Sequence, residues 1–291
     1  MGKKKDRITY QNNLTLEQSK QFDFPVHKLL QSSRVNIKLM CDDNMTLILH
    51  HTAMMKTEAH QISLDSSTIT RILALVALLL ITASITGQIS KFMFADDYLK
   101  SLIRLFNVDE ERNIPTYFSM LLMIFIASLL AFIATLNSKL GLPHVSKWVV
   151  LSCGFLCMAY DEVFQIHEKL IWPFRELLGD SNLGAFYFAW VIPGITIVIV
   201  SGLFFLRFLL HLPTLVRFRF LFAATLYIGG AIGLELVGGQ HAEFHGEGNF
   251  LYSMITTIEE SLEIFGLIFF IWTLLKYCEE YYQKVQLHFS T

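Results

Sequence analysis

Charged residues are scarce in this chain of 291 residues: Asp, Glu, Lys and Arg together make up 16% of it. A soluble domain carries about 25% charged residues. Apolar residues supply 53% of the chain, and the mean hydropathy is +0.47. No basic cluster is interleaved with aromatic residues, so no nucleic-acid partner is expected. The composition therefore predicts an all-α membrane protein that crosses the bilayer several times.

Cysteine is also rare, with four residues in the chain. Cys153 and Cys157 lie four positions apart, which places both on one helix face and suits them for packing. Neither a CxxC spacing nor a second pair supports a metal site at these cysteines. The first 30 residues contain no apolar run, so no cleavable secretory signal is expected.

The remaining pattern divides the chain into three parts. Residues 1–66 are predicted to form a short cytoplasmic N-terminal region, with strands at 34–40 and 45–55. Residues 67–278 form the predicted transmembrane domain, and residues 279–291 a cytoplasmic tail. A homo-oligomer, and a cytoplasmic partner held through residues 1–66, are both left open.

Six apolar stretches each supply the roughly 20 residues that a transmembrane helix requires. They cover approximately 71–90, 117–137, 147–167, 186–210, 218–238 and 252–277. Between the first two, residues 96–106 have apolar side chains at helical spacing but are too few to span. We expect this segment to be a helix that lies in the membrane interface.

The distribution of Lys and Arg predicts the orientation of the six helices. If both termini lie in the cytoplasm, 17 of the 23 basic residues are on that side, as the positive-inside rule requires. Trp172 and Trp190 then lie near the outer interface as part of an aromatic belt. The sequence thus predicts an N-in, C-in protein of the cytoplasmic membrane, in contact with the lipid bilayer.

Three of the predicted spans contain acidic side chains. These are Asp161 and Glu162 in the third span, Glu235 in the fifth, and Glu259, Glu260 and Glu263 in the sixth. A charged residue at the bilayer centre costs about 2.5–3.5 kcal/mol on insertion scales, so it is retained where it faces protein, water, a partner or a metal. At 1.5 Å per residue, Asp161, Glu235 and Glu259 all lie ~20–25 Å above the inner boundary. This shared depth predicts one polar site that opens outward.

Helix spacing adds detail to this site. Asp161, Gln165 and Glu168 fall on one stripe of a continuous helix. His167 lies off that stripe, so it reaches the site only if the helix end unwinds or a neighbouring helix stands on that side. Glu259 and Glu263 share a face of the sixth span. Bare carboxylates so close together repel each other, so a bound cation or a shared proton is expected.

Histidines next to these acids give the site candidate metal ligands. His241 and His245 have the i, i+4 spacing that lets two imidazoles on one helical turn bind the same Zn²⁺. The predicted metal ligands are His167, His241, His245, Asp161, Glu168 and Glu235. The predicted catalytic acids are Glu259, Glu263 and Glu162, the first two as candidates for general base to a metal-bound water. Zinc is the predicted metal, with iron or manganese as alternatives.

Several motifs occur in a familiar order. They are Asn113-Ile-Pro-Thr-Tyr-Phe-Ser119, Tyr160-Asp-Glu-x4-His-Glu168, Ala189-Trp-Val-Ile-Pro-Gly194, Gly230-Ala-Ile-Gly-Leu-Glu235 and Ile258-Glu-Glu-Ser-Leu-Glu263. Together they resemble a group of uncharacterised bacterial multi-spanning membrane proteins with a D-E-x4-H-E segment and a late E-E-x-x-E. Zinc-dependent membrane hydrolases of the ceramidase and adiponectin-receptor type offer an analogy, because they also combine intramembrane Asp and His with a late HxxxH.

These observations predict a metal-dependent membrane hydrolase that acts on a lipid or lipid-linked substrate. Two alternatives remain open at this point. The same carboxylates suit a proton- or cation-coupled transporter or channel. A non-catalytic membrane sensor or scaffold that signals through residues 1–66 is the other.

The orientation is tested by cysteine labelling. A cysteine introduced at Asn249 is expected to react with a membrane-impermeant reagent added outside intact cells, beyond the background of the native cysteines. Labelling only after the cytoplasmic side is exposed would reverse both the topology and the direction in which the site opens.

Overall fold

The computed structural model of the protein describes residues 65–94, 103–110, 112–179 and 182–282. All regular structure in these ranges is helical, and they contain no strand. The strands predicted at 34–40 and 45–55 lie outside the described residues. The predicted interfacial helix is described only at 103–106, which is helical.

The described residues form α-helices joined by short turns. In chain order the helices are α1 (Ser66–Phe94), α2 (Ile114–Lys139), α3 (Val145–Phe164), α4 (Ile171–Leu178), α5 (Val191–His211), α6 (Thr214–Ile228), α7 (Glu235–His245) and α8 (Phe250–Tyr282). The 3₁₀ turns Glu168–Leu170 and Gly184–Phe186 precede α4 and α5. A π-helical segment, Gly229–Leu234, joins α6 directly to α7.

Four of these helical stretches are long and apolar enough to cross a membrane. They are Ser66–Met93, Ile114–Lys139, Val191–His211 and the continuous stretch Thr214–His245. A fifth span results if α3 and Glu168–Leu178 are counted together, although they are bent by 72° relative to each other. The protein is therefore a multi-pass membrane protein. Since α8 is not among these spans, the six spans and their orientation stay predictions.

The third apolar stretch ends earlier than the sequence pattern predicts. The helix was expected to run to residue 167, whereas α3 ends at Phe164. Gln165 follows in the left-handed region, with φ of 51°, and its N–H donates to the Asp161 carbonyl at 2.7 Å. This cap turns the chain away from the α3 axis, so Gln165 and Glu168 do not continue the predicted helical stripe.

α8 is the central helix of the described bundle. It packs against α1, α2, α6, α7 and the π-helical segment. Ile264, Ile271 and Leu274 of α8 are fully buried. Because neighbouring helices cover so much of its surface, α8 can carry polar side chains that face protein instead of lipid.

Contacts at the helix ends establish how the helices run relative to one another. The Ser66 N–H at the start of α1 donates to Glu279 Oε1 near the end of α8, at 3.0 Å. The rings of Trp148, at the start of α3, and Tyr277, late in α8, lie 5.3 Å apart. Thus α1 and α3 run antiparallel to α8. The α8 N-terminal end of the bundle, where Phe250 contacts Phe92 at the end of α1, is the end that holds the candidate site.

Two glycines let the α6–α7 stretch approach α8 very closely. A Cβ atom on Gly266 would lie 2.9 Å from the backbone nitrogen of Tyr227. A Cβ atom on Gly230, in the π-helical segment, would lie 2.7 Å from the backbone oxygen of Glu259. Small residues at such positions allow membrane helices to pack backbone against backbone. The two contacts fix the register of α6–α7 against α8.

This register is tested by the substitution Gly266→Ala. Alanine is a better helix former than glycine by about 1 kcal/mol, but its Cβ must displace the α6 backbone, and overpacking of this kind costs about 1–3 kcal/mol. We expect a lower thermal unfolding temperature for the purified protein in detergent. Gly202→Ala in α5 is the matched control, because its Cβ would meet nothing within 4 Å. Equal stability of the two variants would contradict the close contact.

Candidate functional site

One face of α8 carries polar side chains from the helix end into the bundle. Tyr252, Thr256, Glu259 and Glu263 are spaced i, i+4, i+7 and i+11, so they fall on one stripe of the helix. The first three are buried, and Glu259 is only 8% exposed. The stripe therefore forms a polar line inside the protein and not a lipid-facing surface.

The central feature of the site is a pair of carboxyl groups from two helices. Glu235 is the first residue of α7, and its carboxyl group is hydrogen-bonded to that of Glu259 on α8. An ionised carboxylate only accepts hydrogen bonds, so a bond between two carboxyl groups requires a proton on one of them. The Oε2 atom of Glu259 is buried and has no hydrogen-bond partner among the described residues. The pair is thus suited to hold a proton or a small cation.

Trp190 orients this pair from the start of α5. Its indole Nε1–H donates to Glu235 Oε1 at 2.6 Å. The same ring lies 4.6 Å from the imidazole ring of His167. The sequence pattern placed Trp190 in an aromatic belt, but its N–H group bonds to an acid inside the protein. Trp190 is therefore a site residue that the sequence pattern did not identify.

His167 and Asp161 form a second bonded pair at the end of α3. The backbone N–H of His167 donates to Asp161 Oδ1 at 2.9 Å, and its Nδ1 lies 2.7 Å from Asp161 Oδ2. Both contacts become possible because the helix ends at Phe164 and the chain turns back. Glu168 is exposed, and it interacts electrostatically with His167. His167 also interacts electrostatically with Glu235, and both residues contact the Trp190 ring.

The other acids of the third and sixth spans surround a tyrosine. The Tyr227 hydroxyl of α6 is hydrogen-bonded to the Glu263 carboxyl group. Glu162 and Glu260 both interact electrostatically with the same tyrosine. The structure thus gathers two of the predicted catalytic acids, Glu162 and Glu263, around Tyr227. The sequence pattern gave no signal for this tyrosine, which lies near the end of α6.

The HxxxH pair lies on α7. The rings of His241 and His245 are stacked, with centroids 4.6 Å apart and an interplanar angle of 10°. His241 Nε2 lies 2.9 Å from Asn249 Oδ1. Among the described residues, no group of three or more His, Cys, Asp or Glu side chains is arranged to hold a metal ion. The metal and its ligand set therefore stay predictions.

A further acid reaches α8 from the loop between α1 and α2. Asp109 interacts with Thr256, one helical turn from Glu259. The Thr256 hydroxyl itself donates to the carbonyl oxygens of Ser253, at 3.2 Å, and Tyr252, at 3.4 Å. Asp109 is an exposed residue of this loop. Partial desolvation by the surrounding chain and the neighbouring Glu110 carboxylate raise the pKa of its carboxyl group, whereas Thr256 and Lys91 lower it. Asp109 stands outside every predicted span, so the rule that identifies intramembrane acids did not select it.

Comparison with known proteins supplies a family but no activity. No curated protein and no solved structure matches the chain. Residues 72–278, which hold the candidate site from Asp109 to Glu263, match the family described as "Domain of unknown function (DUF8692)". This match covers more than half of the chain, and the protein therefore belongs to the DUF8692 family.

Proposed function

We propose that the protein is a proton-coupled membrane transporter whose proton-binding site is the Glu235–Glu259 pair. The observation that carries the proposal is the hydrogen bond between these carboxyl groups inside the bundle. The carboxyl pair gains one negative charge when its proton leaves. Proton-coupled transport requires such a change of charge at the proton-binding site. Acids within transmembrane segments commonly form such proton relays.

The cost of keeping these acids supports a functional role. An ionised group at the bilayer centre costs about 2.5–3.5 kcal/mol even on the more permissive scales. A hydrophobic pair of similar volume at these positions would avoid that cost. The carboxyl pair is surrounded by Trp190 and by the His167–Asp161 pair. These side chains also need hydrogen-bond partners. Their concentration at one place favours proton handling over packing.

The bound proton would couple to helix position through electrostatic repulsion. With the proton present, Glu235 and Glu259 are held together by their hydrogen bond. Without it, two adjacent negative charges repel, which favours a state in which they separate or take up a cation. The helix that would respond is α7, because the π-helical segment before it lacks regular α-helical hydrogen bonding, and such segments are frequent at functional sites.

The direction of the site follows from the basic residues. With 17 of 23 Lys and Arg residues on the cytoplasmic side, the α8 N-terminal end faces outward. In this arrangement of six spans in the cytoplasmic membrane, the carboxyl pair takes its proton from outside the cell. Both termini are then cytoplasmic.

Proton flux in reconstituted liposomes tests the proposal. Vesicles with an enclosed pH indicator receive an imposed gradient of Na⁺, K⁺ or Ca²⁺, and the internal pH is followed. We expect flux with wild type and a loss of at least about tenfold with Glu259→Gln, because the amide cannot exchange the proton. Glu176→Gln, an exposed position on α4, is the matched control and keeps the wild-type rate. Equal flux for wild type and Glu259→Gln with every gradient contradicts the proposal.

The metal-dependent hydrolase of a lipid or lipid-linked substrate is the second candidate. The stacked His241–His245 pair favours it, because both imidazoles lie on one turn of α7. Elemental analysis of the purified protein separates the two candidates. Proton coupling through the carboxyl pair predicts no stoichiometric metal in wild type. One equivalent of zinc in wild type that is lost in the variant His241→Ala/His245→Ala would favour the hydrolase and contradict the transporter.

A further inference from the structure

A groove runs along α8 on the side where α1 and α6 pack against it. It has a volume of about 390 Å³ and is open on one side. The side chains that line it come from all three helices and are Thr70, Leu226, Phe265, Ile268, Phe269 and Trp272. Five of them are apolar, and Thr70 donates its hydroxyl hydrogen to the Ser66 carbonyl of its own helix at 2.7 Å. The lining therefore suits a hydrocarbon chain and not water, which needs several polar partners.

The groove is positioned to receive lipid from one leaflet of the membrane. The helices on its two sides, α1 and the continuous α6–α7 stretch, are both long and apolar enough to cross a bilayer. Phe265 and Trp272 are seven residues apart on α8, so the groove extends about 10 Å along the helix axis. Tryptophan is enriched at the boundary between membrane and water. The groove thus runs from Trp272, near the headgroup level, toward the bilayer centre, which is the course of an acyl chain.

Charged side chains stand where the groove ends. The guanidinium carbon of Arg219, on α6, lies 4.8 Å from the centroid of the Trp272 ring. Arg219 Nη1 donates to Glu280 Oε1 of α8 at 3.2 Å. Lys276 and Glu279 form a second ion pair at 2.6 Å, on the same face of α8 as Trp272 and Glu280. These four side chains carry two positive and two negative charges, so this end of the groove is suited to a group that is itself zwitterionic.

The two ion pairs differ in what else their carboxylates bind. Glu279 accepts from Lys276 at Oε2 and from the Ser66 N–H of α1 at Oε1, so both of its oxygens hold the helix ends together. The Glu280 side chain is 40% exposed, and its Oε1 accepts from Arg219. A guanidinium has five N–H donors and a carboxylate can accept about four hydrogen bonds. The bond between Arg219 and Glu280 therefore leaves both groups able to bind a ligand that has an acceptor and a donor side by side.

We propose that this groove binds a zwitterionic phospholipid with a primary ammonium headgroup, of the phosphatidylethanolamine type. One acyl chain lies in the groove, the phosphate accepts charge-assisted hydrogen bonds from Arg219, and the ammonium group donates to Glu280. Two carbon atoms join the phosphate to the ammonium group, so the headgroup presents its opposite charges next to each other, as the Arg219–Glu280 pair does. A headgroup with a net negative charge would instead be repelled by Glu279 and Glu280.

This lipid site is separate from the carboxyl pair. The groove begins at Phe265, closer to the α8 C-terminal end than Glu259. The proposal therefore does not depend on the function proposed for Glu235 and Glu259.

Native mass spectrometry of the full-length protein tests the lipid site. Delipidated protein in detergent is titrated with phosphatidylethanolamine, phosphatidylcholine or phosphatidylglycerol that carry the same acyl chains. We expect phosphatidylethanolamine to bind at least about tenfold more tightly than the other two, because only its headgroup donates a charge-assisted hydrogen bond to Glu280. Equal affinities for the three lipids, or tightest binding of phosphatidylglycerol, would overturn the proposal.

Substitutions of the charged pair separate the two headgroup contacts. Arg219→Gln is expected to weaken the binding of phosphatidylethanolamine by at least about tenfold. Arg217→Gln is the matched control, because it lies about 200° away around the same helix. Glu280→Gln is expected to abolish the preference for phosphatidylethanolamine over phosphatidylcholine, whereas a merely structural role would weaken both lipids equally. Wild-type affinity in Arg219→Gln, or an unchanged preference in Glu280→Gln, contradicts the assignment.

A third variant fills the groove itself. Leu226→Trp is expected to lower the affinity for all three lipids, whereas Leu221→Trp, at an exposed position of the same helix, leaves it unchanged. The same spectra report the oligomeric state of the protein. A wild-type dimer that holds no lipid and dissociates in Leu226→Trp would show that a second copy of the chain occupies the groove, and it would replace the lipid by that copy.

Discussion

The close approach of the π-helical segment to α8 is the contact on which the candidate site depends. Gly230 leaves no room for a Cβ atom above the backbone oxygen of Glu259, and Gly266 is equally tight against Tyr227. This contact places the start of α7 beside the polar stripe of α8. The hydrogen bond between Glu235 and Glu259 follows from that register, because a helix that stood further away could not bring the two carboxyl groups together.

Enclosure by neighbouring helices explains how a membrane protein tolerates so many acids. α8 carries three glutamates within five residues, yet it is covered by α1, α2 and the α6–α7 stretch. Three of the predicted site acids bond to a group from another helix or turn: Glu235 to Trp190, Glu263 to Tyr227 and Asp161 to His167. These bonds supply partners for part of the buried polar surface, as membrane-buried groups require, whereas Glu259 Oε2 has no partner among the described residues.

The sequence predicted much of the helical architecture and the main acids of the site, but not how they pair. Apolar runs identified the helices, and the scarcity of acids in lipid pointed to Glu235 and Glu259. Rules based on residue spacing assume a continuous helix, so they do not predict the break after Phe164. They treat such a break only as a condition under which His167 could reach the site. In the structure, the break lets His167 hydrogen-bond to Asp161. The hydrogen bonds of Trp190 and Tyr227 to acids carry no local signal, because they come from contacts between elements far apart in the chain. The HxxxH pair, in contrast, is a local pattern. His241 and His245 lie one turn apart on α7, as their i, i+4 spacing predicts.

The central claim is that Glu235 and Glu259 share a proton inside the bundle. The most direct measurement is the infrared spectrum of the purified protein at neutral pH, recorded in H₂O and D₂O. We predict a deuterium-sensitive band of a neutral carboxylic acid that is present in wild type and absent in Glu259→Gln. A wild-type spectrum without that band, identical to the spectrum of Glu259→Gln in this region, would contradict it.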